Sequence, residues 1–269
     1  MIIPCPVYCR PISVIPSRPP HPSPKLPNIG VVTCDFPFIS PKTVSLSAPP
    51  FRTVAPRGSH EKNIHNPVHM TEPRILLASA SATRRALLEA AGVRFAVQPA
   101  RIDEESLRAA LAAEEAAPGD IADALAEAKA RRASARASAV QYVIGADQIL
   151  DCEGEIFAKA ETAAQAASVL SRLSGRTHRL HSAAVLYSEH RPIWRHVEVC
   201  RMQMRPLGPD DIDAHLADGL PSILESVGCY RYEDHPDLFT DVSGSREGIL
   251  GLPLTPLLDI LRRHGVLES

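Results

Sequence analysis

A short polar segment holds the first residues whose types could bind phosphate. Ser79, Ser81 and Arg84 fall within the run SASATRR, between an apolar stretch and a segment typical of a helix. The free backbone N–H groups of a helix start, together with hydroxyl and guanidinium groups, bind phosphate oxygens. The same residues would also suit an ordinary helix cap followed by solvated arginines. The segment lacks the GxxxxGK(S/T) pattern, so it is not a P-loop.

An acidic residue and a lysine further along the chain could complete such a site. Asp147 follows an apolar run, at the predicted carboxyl end of a buried strand, where open α/β sheets bind their ligands. A carboxylate there can bind a divalent metal or act as a general base, although it could also cap a turn. Lys159 could neutralise phosphate as a point charge, or be an ordinary exposed lysine. Taken in isolation, Glu104 and Lys129 indicate no chemistry.

The run LSGRTH at residues 173–178 marks the junction between a helix and a strand. Its serine and glycine end the helix, and its arginine opens the strand. A lone histidine such as His178 is more often a local hydrogen-bond partner than a catalyst. The sequence shows neither a Ser/His/Asp nor a Cys/His signature, which disfavours nucleophilic catalysis.

Helices and strands alternate around these residues, which predicts a mixed α/β domain. Apolar and alternating runs predict strands at 74–78, 93–97, 142–147, 148–157, 177–187 and 193–204. Amphipathic or alanine-rich runs predict helices at 84–92, 162–173, 209–217 and 253–264, and two more within 104–137 that are broken at Pro118-Gly119. The two longest strands are expected to form a hairpin near residues 190–192.

The front of the chain differs in composition from the rest. Of the 25 prolines, 15 lie in residues 1–72, and residues 1–69 carry about +5 charges against about −7 in residues 70–269. Proline lacks a donor N–H and restricts its predecessor, so residues 1–69 are predicted to be a disordered extension and residues 70–269 one domain. We interpret the extension as the product of a misassigned start codon before Met70. A transit peptide is the alternative, since acids are scarce there.

Composition also disfavours several classes of protein. No run of about 18 apolar residues occurs, so a membrane-spanning helix and a membrane partner are not expected. The acidic balance of residues 70–269 disfavours a nucleic-acid partner. The six cysteines form no CxxC pair, which disfavours a zinc site or a disulfide framework and predicts a reduced, cytoplasmic setting.

Taken together, these motifs resemble those of the Maf proteins, nucleoside triphosphate pyrophosphatases related to the inosine triphosphate pyrophosphatase fold. The family's motifs occur in their usual order over residues 74–267. The matching segments are 77–88, 101–104, Lys129-Ala130, 145–148, Lys159, 173–178 and 251–254. Two of them, L-S-G-R-T-H and G-L-P-L, are intact and form the most specific pair. The resemblance implies an elongated α/β fold in which one long mixed sheet, flanked by helices, runs through two lobes with the active cleft between them.

The resemblance also implies an activity: hydrolysis between the α- and β-phosphates of a nucleoside triphosphate, with Mg²⁺ or Mn²⁺, in nucleotide-pool sanitation. The resemblance further implies that Asp147 is the general base and that Asp147 and Glu104 are metal ligands. The implied triphosphate-binding residues are Ser79, Ser81, Arg84, Lys129 and Lys159. The expected partner is the nucleoside triphosphate substrate, and a homodimer is left open.

The sequence departs from the family pattern in four places. Gln148 replaces the common threonine after the aspartate, and alanines flank Lys159 where glycine and proline are usual. Ala82 and Thr83 stand where proline and arginine are frequent. Arg231 takes the place of the glutamine that helps to read the base, so it is placed among the substrate-binding residues with the base preference open. The lost glutamine and Thr83 support an alternative, a Maf-like regulatory protein of septum formation that binds nucleotides with little or no turnover.

Overall fold

A computed structural model describes residues 73–137 and 140–267. The predictions for residues 1–69, and the domain boundary at Met70, lie outside these residues. The strands within the described ranges are β1 (Ile75–Leu77), β2 (Phe95–Val97), β3 (Tyr142–Cys152), β4 (Glu155–Phe157), β5 (Thr177–Ser188), β6 (Arg191–Met204) and β7 (Phe239–Ser243). The helices are α1 (Ala82–Ala90), α2 (Glu104–Ala113), α3 (Pro118–Ser134), α4 (Ala163–Leu173), α5 (Pro209–Ile223), α6 (Arg246–Ile249) and α7 (Leu254–Arg263), with a 3₁₀ turn at Pro236–Leu238.

The seven strands form one mixed sheet in the order β2-β1-β3-β5-β6-β7, and β4 pairs with β3 outside this path. β1 is parallel to both β2 and β3, whereas the other pairs are antiparallel. β5 and β6 form the predicted hairpin, and its turn residues Glu189 and His190 have φ of 49° and 61°. Two positive φ values in succession suit the tight two-residue turn that joins twisted strands. The predicted α/β class with a mixed, helix-flanked sheet is confirmed.

The long strand β3 alternates its side chains between two helical layers. Val143 and Ile149 pack on the face covered by α3, whereas Ile144 and Ala146 pack on the face covered by α1 and α7. A third apolar cluster joins the far end of the sheet to α4 and α5. At Gly145 an added Cβ would lie 2.7 Å from the backbone nitrogen of Ala130, so only glycine lets α3 approach the strand this closely.

The prediction that one strand ends at Asp147 and another begins at Gln148 is wrong. β3 continues through both residues because β5 pairs with it residue by residue from Tyr142 to Asp151. It is the neighbour on the other side that ends: β1 pairs with β3 only as far as Ile144, and β4 begins its pairing at Leu150. The edge of β3 between these two points is therefore open.

Two further elements differ from the predictions. α5 extends beyond the predicted end at residue 217 to Ile223, although Gly219 departs from helical geometry and Pro221 interrupts the hydrogen bonding. The short elements β7 and α6 have only five and four residues, too few to give a clear periodic pattern, and were not predicted. None of the helices in the described ranges is long and apolar enough to cross a membrane.

Candidate active site

A cleft of about 1060 Å³ lies at the open edge of β3. Its walls come from the turn between β1 and α1, from α2 and α3, from the segment after β4, and from the segment after α5. Every residue that the sequence singled out for the site lines this one cleft. These residues are Ser79, Ser81, Arg84, Glu104, Lys129, Asp147, Lys159 and Arg231.

The turn after β1 presents hydroxyl and guanidinium groups to the cleft. Ser81 caps α1, since its Oγ accepts the backbone N–H of Arg84 at 3.3 Å. Ser79 Oγ accepts the backbone N–H of Ser81 at 3.3 Å and Nη1 of Arg84 at 3.2 Å. The turn is thus held by its own side chains, and it places two hydroxyls and one cation beside the start of a helix, where phosphate is favoured.

Arg84 is buried and points back under the cleft. Its Nε donates to the carbonyl of Gly251 at 2.8 Å, and its Nη1 donates to the carbonyl of Ala146 at 3.1 Å. Burial lowers the pKa of the guanidinium, whereas the charges of Asp147 and Glu104 raise it. Arg84 is therefore a fixed cation whose orientation depends on two carbonyls that lie far apart in the sequence.

Lys129 joins the two carboxylates of the site. Its Nζ lies 2.6 Å from Oδ1 of Asp147 and 2.9 Å from Oε2 of Glu104. Lys129 and Asp147 are buried, whereas the Glu104 side chain is 47% exposed. α3 carries the lysine over the face of β3 from which Asp147 projects, and Glu104 stands at the start of α2. An ammonium held between two carboxylates fixes both acids at one end of the cleft.

Lys159 completes a group of three cations. It lies exposed on the segment that follows β4 and lines the same cleft. Partial desolvation lowers the pKa of Lys159, as do the charges of Arg84 and Lys129, whereas the charges of Asp147 and Glu104 raise it. Arg84, Lys129 and Lys159 thus act on one another across the cleft, together with two carboxylates. Three cations placed in this way can bind an anionic group such as a polyphosphate.

The carboxylates suit a metal that arrives with phosphates better than a metal held by protein alone. Within the residues that the structure describes, no group of three or more His, Cys, Asp or Glu side chains could hold a metal ion. Asp147 and Glu104 both contact the same ammonium, so their oxygens lie within a few ångströms of each other. Mg²⁺ is commonly bound through one or two carboxylates together with substrate phosphates and waters, and these two residues fit that mode.

The other end of the cleft is formed by the segment Tyr230, Arg231, Tyr232 and Glu233. Arg231 is half-buried, and its guanidinium lies 2.8 Å from Glu233 and 3.0 Å from Asp234. The hydrogen bond to Glu233 is the main cause of a raised pKa for Arg231. Sequence reasoning named Arg231 but missed Glu233, although it stands two positions later in the same departing motif.

His178 lies beneath this end of the cleft rather than in it. Its Nε2 is 2.7 Å from the hydroxyl of Tyr230, and burial lowers the pKa of the imidazole to about 4. At neutral pH the ring is therefore uncharged. His178 is a local hydrogen-bond partner that supports Tyr230, as its position in the sequence predicted.

Gln148 was noted in the sequence only as a departure from the family pattern, yet it makes several contacts. Its Nε2 lies 2.9 Å from Oγ of Ser182, 3.2 Å from the carbonyl of Gly248 and 3.0 Å from the carbonyl of Ile249. The side chain thus joins β3 to the segment that follows β7. The signal in the sequence that could have indicated this role is the position of the glutamine directly after Asp147.

Comparison with known proteins agrees with this geometry. The sequence model of the Maf-like proteins matches residues 74–264. "Nucleoside triphosphate pyrophosphatase 1" of Jannaschia sp. (strain CCS1) is 46% identical over 194 residues, which cover 72% of this chain and 98% of the relative. "Nucleoside triphosphate pyrophosphatase" of Ruegeria pomeroyi is 43% identical over 201 residues, or 74% of this chain and 100% of the relative. "7-methyl-GTP pyrophosphatase" of Rhizobium meliloti is 43% identical over 199 residues, with the same coverage. The family match and these identities show that the chain belongs to the Maf family.

Proposed function

We propose that this chain hydrolyses nucleoside triphosphates to nucleoside monophosphate and pyrophosphate. The observation that carries the proposal is the ammonium of Lys129 between Asp147 and Glu104, in a cleft that Arg84 and Lys159 also line. Such a site offers a fixed carboxylate for water and several cations for a triphosphate. The names of the relatives, which are nucleoside triphosphate pyrophosphatases, support the same reaction.

The geometry assigns Asp147 the proton-accepting role. Lys129 donates to Oδ1, and Oδ2 has no hydrogen-bond partner among the described residues, so Oδ2 is the atom that takes a proton from water. The water oxygen then bonds to the α-phosphorus, and the bond from that phosphorus to the bridging oxygen breaks. Pyrophosphate leaves with the electron pair. Arg84 and Lys159 stabilise the charge that gathers on the phosphate oxygens in this step.

We propose that the reaction uses a divalent cation, Mg²⁺ or Mn²⁺, which Asp147 and Glu104 would hold. When bound, such an ion neutralises phosphate charge and lowers the barrier to attack. The two carboxylates supply part of a coordination sphere, and the phosphate oxygens and waters would supply the rest. Lys129 would hold both carboxylates in place beside the ion.

We propose that Arg231 and Glu233 bind the base and prefer guanine. Glu233 only accepts hydrogen bonds, and the Watson–Crick edge of guanine has two adjacent donors, N1–H and N2–H₂. Arg231 only donates, and guanine has an acceptor at O6 beside those donors. Methylation at N7 gives the base a positive charge, which the surrounding Glu233, Asp234 and Glu225 would attract. We therefore include 7-methyl-GTP among the substrates, in line with the name of the Rhizobium meliloti relative.

Release of pyrophosphate from a panel of nucleoside triphosphates tests the proposal. The panel contains the common ribo- and deoxyribonucleotides and 7-methyl-GTP, each with Mg²⁺ or Mn²⁺. Asp147→Asn should abolish release while thermal unfolding shows an intact fold, and Asp213→Asn, an exposed substitution on α5, should leave the rate unchanged. Full activity of Asp147→Asn would refute the assigned base.

The alternative is a nucleotide-binding regulatory protein with little turnover. A triphosphate would then raise the melting temperature of the wild-type protein, while no member of the panel released pyrophosphate. Turnover of any member at a rate that Asp147→Asn abolishes would exclude this alternative. The cellular role in nucleotide-pool sanitation, the cytoplasmic location and the homodimer remain predictions.

A further inference from the structure

Arg84 depends for its orientation on a segment that is distant in the sequence. Its Nε bonds to the carbonyl of Gly251, in the 244–252 segment between β7 and α7. Gly251 has φ of +94°, a conformation that glycine adopts without strain, and an added Cβ would lie 3.4 Å from Nη2 of Arg84. The carbonyl and the guanidinium are therefore closely fitted, and any shift of the segment would move the cation.

Side chains of the sheet hold this segment in place. Ser182 on β5 donates its hydroxyl to the carbonyl of Gly248 at 2.7 Å. Glu198 on β6 accepts the backbone N–H of Ser245 at 2.9 Å. Gly248 has no Cβ, and one added there would lie 2.6 Å from the Glu198 carboxyl carbon, so glycine is what admits this carboxylate.

The side-chain amide of Gln148 makes more hydrogen bonds to this segment than either Ser182 or Glu198 does. Its amide nitrogen donates to the carbonyls of Gly248 and Ile249 and to the hydroxyl of Ser182. The two carbonyls accept only, and the proton of Ser182 is directed to Gly248, so the amide nitrogen and not the amide oxygen must face them. Threonine is too short to span these acceptors, and a carboxylate would repel them.

We propose that Gln148 is a positioning residue, which fixes the guanidinium of Arg84 for catalysis through the 248–251 backbone. Gln148 stands directly after Asp147 on β3, and successive side chains of a strand project to opposite faces. One strand therefore aims the carboxylate on its α3 face and, through Gln148, the arginine on its other face. The catalytic meaning of this assignment rests on the proposed function, whereas the structural link to Arg84 does not.

Removal of the amide should loosen Arg84 without unfolding the protein. Gln148→Ala removes the side-chain donor to the carbonyl of Ile249 and one of the two side-chain donors to that of Gly248. The segment retains the contacts of Ser182 and Glu198. A displacement of about 1 Å in a positioning group lowers rates by as much as about 100-fold. We expect kcat to fall about 10- to 100-fold, with KM changed less than about threefold, because the lost interaction strengthens in the transition state.

Two measurements distinguish positioning of Arg84 by Gln148 from a general contribution of Gln148 to the stability of the fold. The first is a double-mutant cycle of kcat with Gln148→Ala and Arg84→Ala. If Gln148 acts through Arg84, Gln148→Ala should cause no further loss in the Arg84→Ala background. A loss of equal size in both backgrounds would overturn the proposal. Gln141→Ala, just before β3 with its contact to exposed Arg74, is the matched control and should leave kcat unchanged.

The second measurement does not depend on turnover. The Nε–H proton of Arg84 in the full chain should exchange slowly with solvent, as followed by NMR with ¹⁵N-arginine, because it is buried and bonded to Gly251. Gln148→Ala should speed this exchange at least about tenfold, as expected for local opening. An unchanged exchange rate would overturn the structural link between Gln148 and Arg84, even if the enzyme is active. Faster exchange in a protein that shows no turnover would support this link and would reject only the proposed function.

An isosteric variant guards against a packing effect. Gln148→Glu keeps the volume but replaces the donor nitrogen with an acceptor oxygen. Its kcat should fall at least as far as that of Gln148→Ala, because an oxygen then faces carbonyls that only accept hydrogen bonds. A kcat equal to that of wild type would contradict a role for the donated hydrogen bonds.

Discussion

Replacement of Lys129 by methionine removes the charge that holds the two acids, and we expect it to destabilise the fold. The side chains of Lys129 and Asp147 are 9% and 10% exposed, and their nitrogen and oxygen lie 2.6 Å apart. Methionine retains most of the apolar stem that packs along α3. The variant therefore leaves a nearly buried carboxylate without its counter-ion and changes packing little.

The size of the effect follows from burial. Removal of one partner of a buried ion pair costs roughly 3–5 kcal/mol, because the remaining charge is uncompensated. Loss of the contact with Glu104 adds at most about 1 kcal/mol to this destabilisation, since the Glu104 side chain is 47% exposed. Asp147 borders an open cleft that water can enter, so we expect the lower bound of about 3 kcal/mol, or a fall in melting temperature of about 6–12 °C.

Urea unfolding followed by circular dichroism at neutral pH measures this loss. The double variant Lys129→Met/Asp147→Asn should recover most of the stability, because an amide needs no counter-ion. Lys159→Met, at an exposed lysine of the same cleft, is the control and should cost less than about 1 kcal/mol. If the double variant is as unstable as Lys129→Met, the loss comes from packing, and the electrostatic explanation is refuted.

Two other predictions concern the far end of the cleft. Glu233→Gln should reduce the preference for guanine over other bases about 10- to 100-fold in kcat/KM, because an amide presents a donor as well as an acceptor to the base. An unchanged ratio between GTP and the other nucleotides would reject the proposed contact. The buried His178 has its pKa lowered from 6.5 to about 4, so the unfolded chain binds a proton first and stability should fall by about 3 kcal/mol as the pH drops through that interval. Urea unfolding at pH 7 and pH 4 should show a smaller difference for His178→Gln than for wild type, and an equal difference would assign the effect to other groups.

The residues proposed to bind phosphate could be located in the sequence because their signals are local. Ser79, Ser81 and Arg84 stand between a strand and a helix, and the turn that joins such elements exposes N–H groups wherever the strand ends. Asp147 was singled out because it follows an apolar run, although the strand end predicted there is wrong and β3 continues through it. Helix and strand periods also predicted the order of the longer elements, since these bury a regular face.

Other features depend on contacts that only the fold creates. Lys129 lies 18 positions from Asp147, and neither Lys129 nor Glu104 indicates chemistry by itself. The burial of Arg84 depends on Gly251, which is 167 positions away. The continuation of β3 through Asp147 follows from pairing with β5, and a pattern along one strand does not show where its neighbours begin and end. Family motifs supplied these residues before geometry could.

The open stretch of β3 explains why the site forms in the middle of a strand. Where a strand ends, the alternation of its side chains between the two faces of the sheet also ends. A strand that continues beyond the end of its neighbour exposes its backbone edge there and still projects side chains to both faces. Here β5 pairs with the whole of this stretch, and the gap between β1 and β4 leaves the other edge of β3 open. Asp147 and Gln148 are consecutive residues in that gap, so the carboxylate held by Lys129 and the segment that holds Arg84 are fixed to one rigid backbone. Under the proposed function, the carboxylate of Asp147 and the guanidinium of Arg84 would then act on the same nucleotide from the two faces of one strand.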